Sequence, residues 1–224
     1  MRLVLLPGLN GSSKLFAPLL AQLQEIPQQI IELPGQGPQD YTSLANAVAE
    51  QLPVDNPFVL LGESFSDPLA HHLALQSPKG LKGLIFAASF LQSPHPLAVL
   101  ASRLPLPKML LSHSWALRLF CIGNAQPAIL QLLQKEIRDM PSALIKARLR
   151  NLAELSSPEQ KIVIPALHLW PTRDRLVSHT AAASLASGYS DLRHESIEGP
   201  HFLLQSRPQA CAMTIRNFIE QLKD

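Results

Sequence analysis

The 224-residue sequence predicts an α/β protein, with a mainly parallel sheet of about six strands and helices on both faces. Three observations carry this expectation. Short apolar runs bounded by Pro or Gly alternate with segments whose apolar residues recur every three or four positions, the pattern of βαβ units. The first runs are apolar throughout instead of alternating, as strands buried on both faces are. The length also fits one domain able to bury a core without disulfides or metals.

The strand-like runs are Arg2–Leu6, Gln29–Leu33, Phe58–Leu61, Leu81–Ala88, Ile162–Trp170 and Leu192–Ile197. Between them, Leu15, Phe16, Leu19, Leu20 and Leu23 form one helical stripe, and Leu44, Val48 and Leu52 form another behind Thr42 and Ser43 as caps. Pro68–Leu75 reads as a helix, and Cys211, Ile215, Phe218, Ile219 and Leu222 mark a last one. The alternation breaks between residues 91 and 157. This stretch holds six prolines and several helical runs, two of them beginning at Pro127 and Pro141, where a first-turn proline is tolerated. It is expected to be a helical cap inserted between two core strands of one domain spanning 1–224.

Composition narrows the function. The net charge of +2 gives no reason to expect nucleic acid, and no apolar run reaches the 18 or so residues a membrane helix needs. Cys121 and Cys211 are lone thiols without metal-ligand spacing, so neither a disulfide framework nor a metal site is expected. A strand-like run beginning at Arg2 leaves no room for a signal peptide, and the expected setting is the cytoplasm. Charge is uneven: residues 91–157 carry eight Lys/Arg and three acids, net +5, which leaves the remainder at −3. Such a segment is either a solvated helical surface or a receiver of an anionic substrate or acidic carrier.

Four segments carry chemistry. In Phe58–Asp67 (FVLLGESFSD) an apolar strand ends in Gly62-Glu63-Ser64-Phe65-Ser66 and runs into a helix. A serine on so tight a turn is lifted above the strand ends, and its neighbours two residues away must be small because strand and helix nearly touch. Gly62 meets that demand; Ser66 is small but has a Cβ. Asp174 follows the fifth strand-like run in a Pro171-Thr172-Arg173-Asp174 turn, and His201 follows the sixth in Gly199-Pro200-His201. Leu6-Pro7-Gly8-Leu9-Asn10-Gly11-Ser12 forms a loop after the first run, and Leu33-Pro34-Gly35-Gln36-Gly37 a turn after the second.

These segments, in this order, resemble the α/β-hydrolase superfamily over nearly the whole chain, and in particular small cap-bearing serine esterases of the pimeloyl-acyl-carrier-protein methyl esterase kind. The resemblance implies Ser64 as nucleophile in a G-x-S-x-G-like elbow, His201 as general base and Asp174 as its orienting carboxylate. It also implies an oxyanion hole made by the backbone N–H groups of Leu9 and Phe65, with Pro7 where the family commonly has histidine. The family's N-terminal hairpin is not expected ahead of the first strand-like run at Arg2–Leu6. No metal or organic cofactor is implied.

The expected activity is hydrolysis of a carboxylic ester or thioester with an apolar acyl group, with cap residues Met109, Trp115 and Phe120 as candidates to line its pocket. An acidic acyl carrier protein is an expected partner if cap arginines such as Arg148 and Arg150 dock it. A non-catalytic binding protein on the same fold, and an acyltransferase, lyase or C–C hydrolase using the same triad, are the alternatives. Asp67, in the first turn of the elbow helix, is expected to be a carboxylate turned away from the oxyanion. Glu63 reads equally as a residue buried under the oxyanion loop or as a solvated turn residue.

Overall fold

The computed structural model describes residues 1–94, 111–158 and 160–223. The strands are β1 (Arg2–Leu6), β2 (Gln28–Ile30), β3 (Phe58–Glu63), β4 (Leu81–Ala87), β5 (Ala166–Pro171) and β6 (Leu192–Ile197). They form one six-stranded sheet in the order β2-β1-β3-β4-β5-β6, and every neighbouring pair is parallel. The sequence therefore identifies all six strands but misplaces some ends. β5 starts at Ala166 instead of Ile162, because Pro165 interrupts the run and Ile162 makes only one bridge, to Tyr189. β3 continues through Glu63, carrying the sheet into the serine turn.

Side chains of the central strands point alternately to two cores. Val4, Leu6, Leu60, Leu84 and Phe86 pack on one side against α2 (Tyr41–Ala49) and α3 (Ser66–Leu75). Leu3, Leu5, Val59, Leu61, Ile85 and Ala87 face the other side. There they meet α1 (Ala17–Leu20), which follows a 3₁₀ turn at Ser13–Phe16, and the C-terminal helix Pro208–Gln221. The first helical stripe is thus a short turn-and-helix. The N-cap of α2 is Asp40, whose carboxylate accepts from the Ser43 N–H at 2.8 Å, and not Thr42 or Ser43. Gly83 leaves room for the last helix: a Cβ there would lie 2.7 Å from Leu222.

Among the described residues between β4 and β5 the regular elements are helical. They are α4 (Ser114–Leu117), which continues as a π-helical turn over Arg118–Ile122, then α5 (Pro127–Asp139) and α6 (Ser142–Glu154). Leu117, Ile122, Leu130 and Leu133 make a small core of their own, joined by Leu15 of the main domain. After β5 come α7 (His179–Ala183) and α8 (Leu185–Gly188), and after β6 come α9 (Leu203–Ser206) and α10 (Pro208–Gln221). Among the described residues no single helix is long and apolar enough to cross a membrane.

Candidate active site

Because all six strands run in one direction, the loops that leave them gather at one edge of the sheet. Ser64 lies just beyond the end of β3 with φ at +52°, a left-handed conformation that costs a non-glycine residue about 1–3 kcal/mol. The turn is held by the Ser64 N–H donating to Ala87 O at 3.0 Å and the Asp67 N–H donating to Ser64 O at 3.0 Å. Gly62 permits the close approach of strand and helix, since a Cβ there would sit 2.8 Å from Ser66 O and from Asp67 Oδ1. The Cβ of Ser66 is accommodated, and its buried hydroxyl donates to Pro7 O at 2.5 Å.

The structure brings Ser64, His201 and Asp174 together. His201 Nε2 lies 2.8 Å from Ser64 Oγ, and His201 Nδ1 lies 2.8 Å from Asp174 Oδ2. An ionised carboxylate only accepts, so Nδ1 carries the proton and Nε2 is free to accept from the serine hydroxyl. Asp174 Oδ1 also accepts the N–H groups of Leu176 (2.8 Å) and Val177 (3.0 Å). Burial disfavours the charge on Asp174, but His201 and these two amides outweigh it and hold the carboxyl below its ordinary range. Burial likewise disfavours the His201 imidazolium, and the Asp174 carboxylate more than offsets this, so His201 is raised above its ordinary value.

Phe65 follows the serine directly in the elbow and Leu9 lies in the loop after β1, and neither N–H donates to a backbone carbonyl in the turns and loops described. Both residues are fixed from behind. The Phe65 ring stacks on Tyr41 with centroids 5.3 Å apart, and Tyr41 OH donates to Phe65 O at 3.1 Å. Glu63 is buried beneath the β1 loop, where Gln205 Nε2 donates to its Oε1 at 2.8 Å and the Gly8 N–H favours its anion. Burial nonetheless raises its pKa.

Sequence reasoning misassigned Arg148. It lies on α6 but is fully buried and reaches the β1 loop. Its guanidinium donates to Leu9 O (2.7 Å), Pro34 O (2.9 Å) and Gln39 Oε1 (3.0 Å) and lies 5.6 Å from the centroid of the Phe65 ring. A Cβ on Gly11 would come within 2.5 Å of it. Arg148 is therefore unavailable to dock a carrier, whereas Arg150 is exposed. Burial lowers the Arg148 pKa to about 10, which leaves it charged at neutral pH. Glu136 on α5 holds the same loop further along, bonding Ser12, Asn10 (3.4 Å) and Lys14 (2.8 Å).

Asp67 departs from expectation as well. It is fully buried between β3 and α3, and burial raises its pKa well above the ordinary value despite Ser89 nearby. Neither of its oxygens has a hydrogen bond of good geometry. Burial thus shifts Asp67 toward the neutral acid, away from a carboxylate serving the helix dipole. Of the candidate pocket residues, Met109 lies outside the described residues. Trp115 is exposed on the wall of a separate cavity, and Phe120 is more than one-third exposed and does not line it. No group of three or more His, Cys, Asp or Glu among the described residues is placed to hold a metal ion.

Known proteins place this architecture. Solved structures with the same fold include a hydrolase from Pseudomonas aeruginosa (17% identity, TM-score 0.81, covering 97% of this chain and 89% of that one). A thermophilic esterase from Thermogutta terrifontis is 18% identical (TM-score 0.79, 99% and 90%), and MenH from S. aureus is 18% identical (TM-score 0.81, 100% and 95%). At these identities the likeness is one of fold. No curated protein matches the chain in sequence. The model of the alpha/beta hydrolase family matches residues 3–214, and the chain belongs to that family.

Proposed function

We propose that the chain is a serine hydrolase that cleaves a carboxylic ester or thioester of an apolar acyl group. The observation that carries this reading is the unbroken hydrogen-bond chain from Ser64 Oγ through His201 to Asp174, 2.8 Å at each link, on a serine held at positive φ. Ser64 Oγ attacks the acyl carbonyl as its proton passes to His201 Nε2. The Leu9 and Phe65 N–H groups receive the oxyanion, a contribution worth about 10²–10³ in rate per donor. His201 then gives the proton to the departing alcohol or thiol. It next takes a proton from water, whose oxygen attacks the acyl-enzyme. The acid leaves and Ser64 regains its proton.

The test is turnover of p-nitrophenyl esters and matched thioesters of graded acyl length, beside fluorophosphonate labelling. The Ser64→Ala protein is expected to lose labelling completely and to lose about 10⁴-fold or more in turnover. Undiminished turnover in that variant would overturn the reading.

A further inference from the structure

A cavity of about 500 Å³ lies where the helical insertion meets the two loops that carry Asp174 and His201. Four arginines line it, namely Arg118 from the insertion, Arg173 and Arg175 on either side of Asp174, and Arg207 beyond α9. Among the described residues, no carboxylate lines it. These arginines come from three distant parts of the sequence, and three of them belong to the portion that is otherwise net acidic.

Their partners do not neutralise them. Arg118 donates to Gly123 O, Arg175 to Leu119 O, and Arg207 to Glu198 O and Ser206 O, all neutral carbonyls. Among the described residues only Arg173 of the four pairs with a carboxylate, Glu198, and both members of that pair are solvent-exposed, so the pair is weak. The carboxylate of Asp174 is turned inward to His201 and two backbone amides. A concave wall with this surplus of positive charge concentrates the field on whatever anion enters. A guanidinium fork matches carboxylate and phosphate alike, but a phosphate monoester has three terminal oxygens and up to two charges, so it can engage more than one of these forks at once. The wall also carries the Trp115 indole, 54% exposed, an apolar surface beside the charges.

We infer that this cavity binds the phosphate ester of a substrate's leaving group, the phosphorylated handle of an acyl thioester. The role of handle rests on the acyl-hydrolase reading above; the phosphate binding itself does not. Gly199 and Pro200, which lead directly into His201, form part of the same wall, so the handle is gripped beside the loops of the reacting centre. The handle has two sources with one chemistry, the nucleotide phosphates of free coenzyme A and the phosphopantetheine arm of an acyl carrier protein.

The test is calorimetric titration of the full-length Ser64→Ala protein, in which binding is read without turnover. The ligands are 3′,5′-ADP, 4′-phosphopantetheine and adenosine. At least one phosphate ester is expected to bind about tenfold or more tightly than adenosine, with an affinity that falls as salt is raised from about 50 to 500 mM. Preference for 3′,5′-ADP identifies free coenzyme A as the source, and preference for phosphopantetheine identifies the carrier arm. Arg118→Ala combined with Arg207→Ala is expected to weaken the bound ligand by about tenfold or more. Arg175→Ala is a second variant should the pair fail to fold. Three results would each overturn the inference: no saturation by either phosphate ester up to millimolar concentration, equal binding of adenosine, or undiminished binding in folded arginine variants. Loss of the hydrolase reading would appear separately, as undiminished turnover in Ser64→Ala.

Discussion

His201 stands between two opposing influences, burial that favours the neutral ring and the Asp174 carboxylate that favours the charged one, and the carboxylate prevails. Only the neutral ring can take the serine proton. Activity is therefore lost below the folded-state pKa of His201 and regained above it, and kcat/KM is expected to rise with pH through an inflection above the ordinary 6.5. Asp174→Asn removes the charge that raises the histidine and no longer enforces the Nδ1–H tautomer. It is expected to move the inflection downward and to slow turnover by roughly 10⁴-fold. A pH–rate profile of both proteins checks this, and an unmoved inflection counts against Asp174 as the source. The three residues of this chain were legible in the sequence because each lies in its own short turn at the end of a strand-like run. The role of Arg148 was not, and Glu63 read equally as buried or as solvated, of which the structure shows the first. A buried arginine on a helix reads in sequence as one more surface charge, and only contacts 139 and 114 residues away, to Leu9 and Pro34, reveal otherwise.

At the scale of elements, the join of β3 to α3 concentrates the strain of the site. Gly62 is required there by close approach, and Ser66 replaces the bare backbone of a glycine with a hydroxyl that fastens the β1 loop. The sequence indicated the turn and the small residues but not the fate of Asp67, because burial depends on how closely the strand and helix pack. Asp67 has a folded-state pKa raised above its ordinary 3.8, so the folded chain keeps a proton that the unfolded chain releases. Its contribution to stability is full below the unfolded value and declines as pH rises toward the folded one. Asp67→Asn, which has no proton to lose, is expected to gain in melting temperature relative to the parent on going from pH 5 to pH 8. Thermal unfolding at the two pH values measures that gain, and a constant difference would refute it. Strand ends were displaced for equally local reasons, as at Pro165, where a residue without an N–H delays the ladder.

For the whole molecule, the helical insertion does more than lie over the sheet. Arg148 from α6 and Glu136 from α5 both bond the loop that follows β1, one at Leu9 and the other at Asn10, Ser12 and Lys14. The backbone from Pro7 to Leu9, which carries the N–H proposed as an oxyanion donor, is thus held from three directions: by Ser66 on Pro7, by Glu63 near Gly8 and by Arg148 on the Leu9 carbonyl. Arg148→Met leaves the Leu9 and Pro34 carbonyls without their charged donor, and is expected to cost about 2–4 kcal/mol in stability. On the proposed mechanism it is also expected to lower kcat by about 10–100-fold with a smaller change in KM, since the loop that Arg148 holds carries the N–H assigned to the oxyanion. Arg148→Lys should not rescue it, because one ammonium cannot reproduce a planar fork aimed at three acceptors. Denaturant unfolding and steady-state kinetics on the same preparations separate the two effects.

The missing side chain at Gly11 is the socket that admits the Arg148 guanidinium, so two positions far apart in the chain behave as a lock and its key. This makes the insertion a poor candidate for modular exchange. A segment grafted from a relative to alter substrate range would leave an empty socket in the loop after β1, and on the proposed mechanism the hybrid would be slow toward every substrate, old and new. Exchange between relatives then requires the arginine to travel with the graft, or the loop to be refitted in the same step.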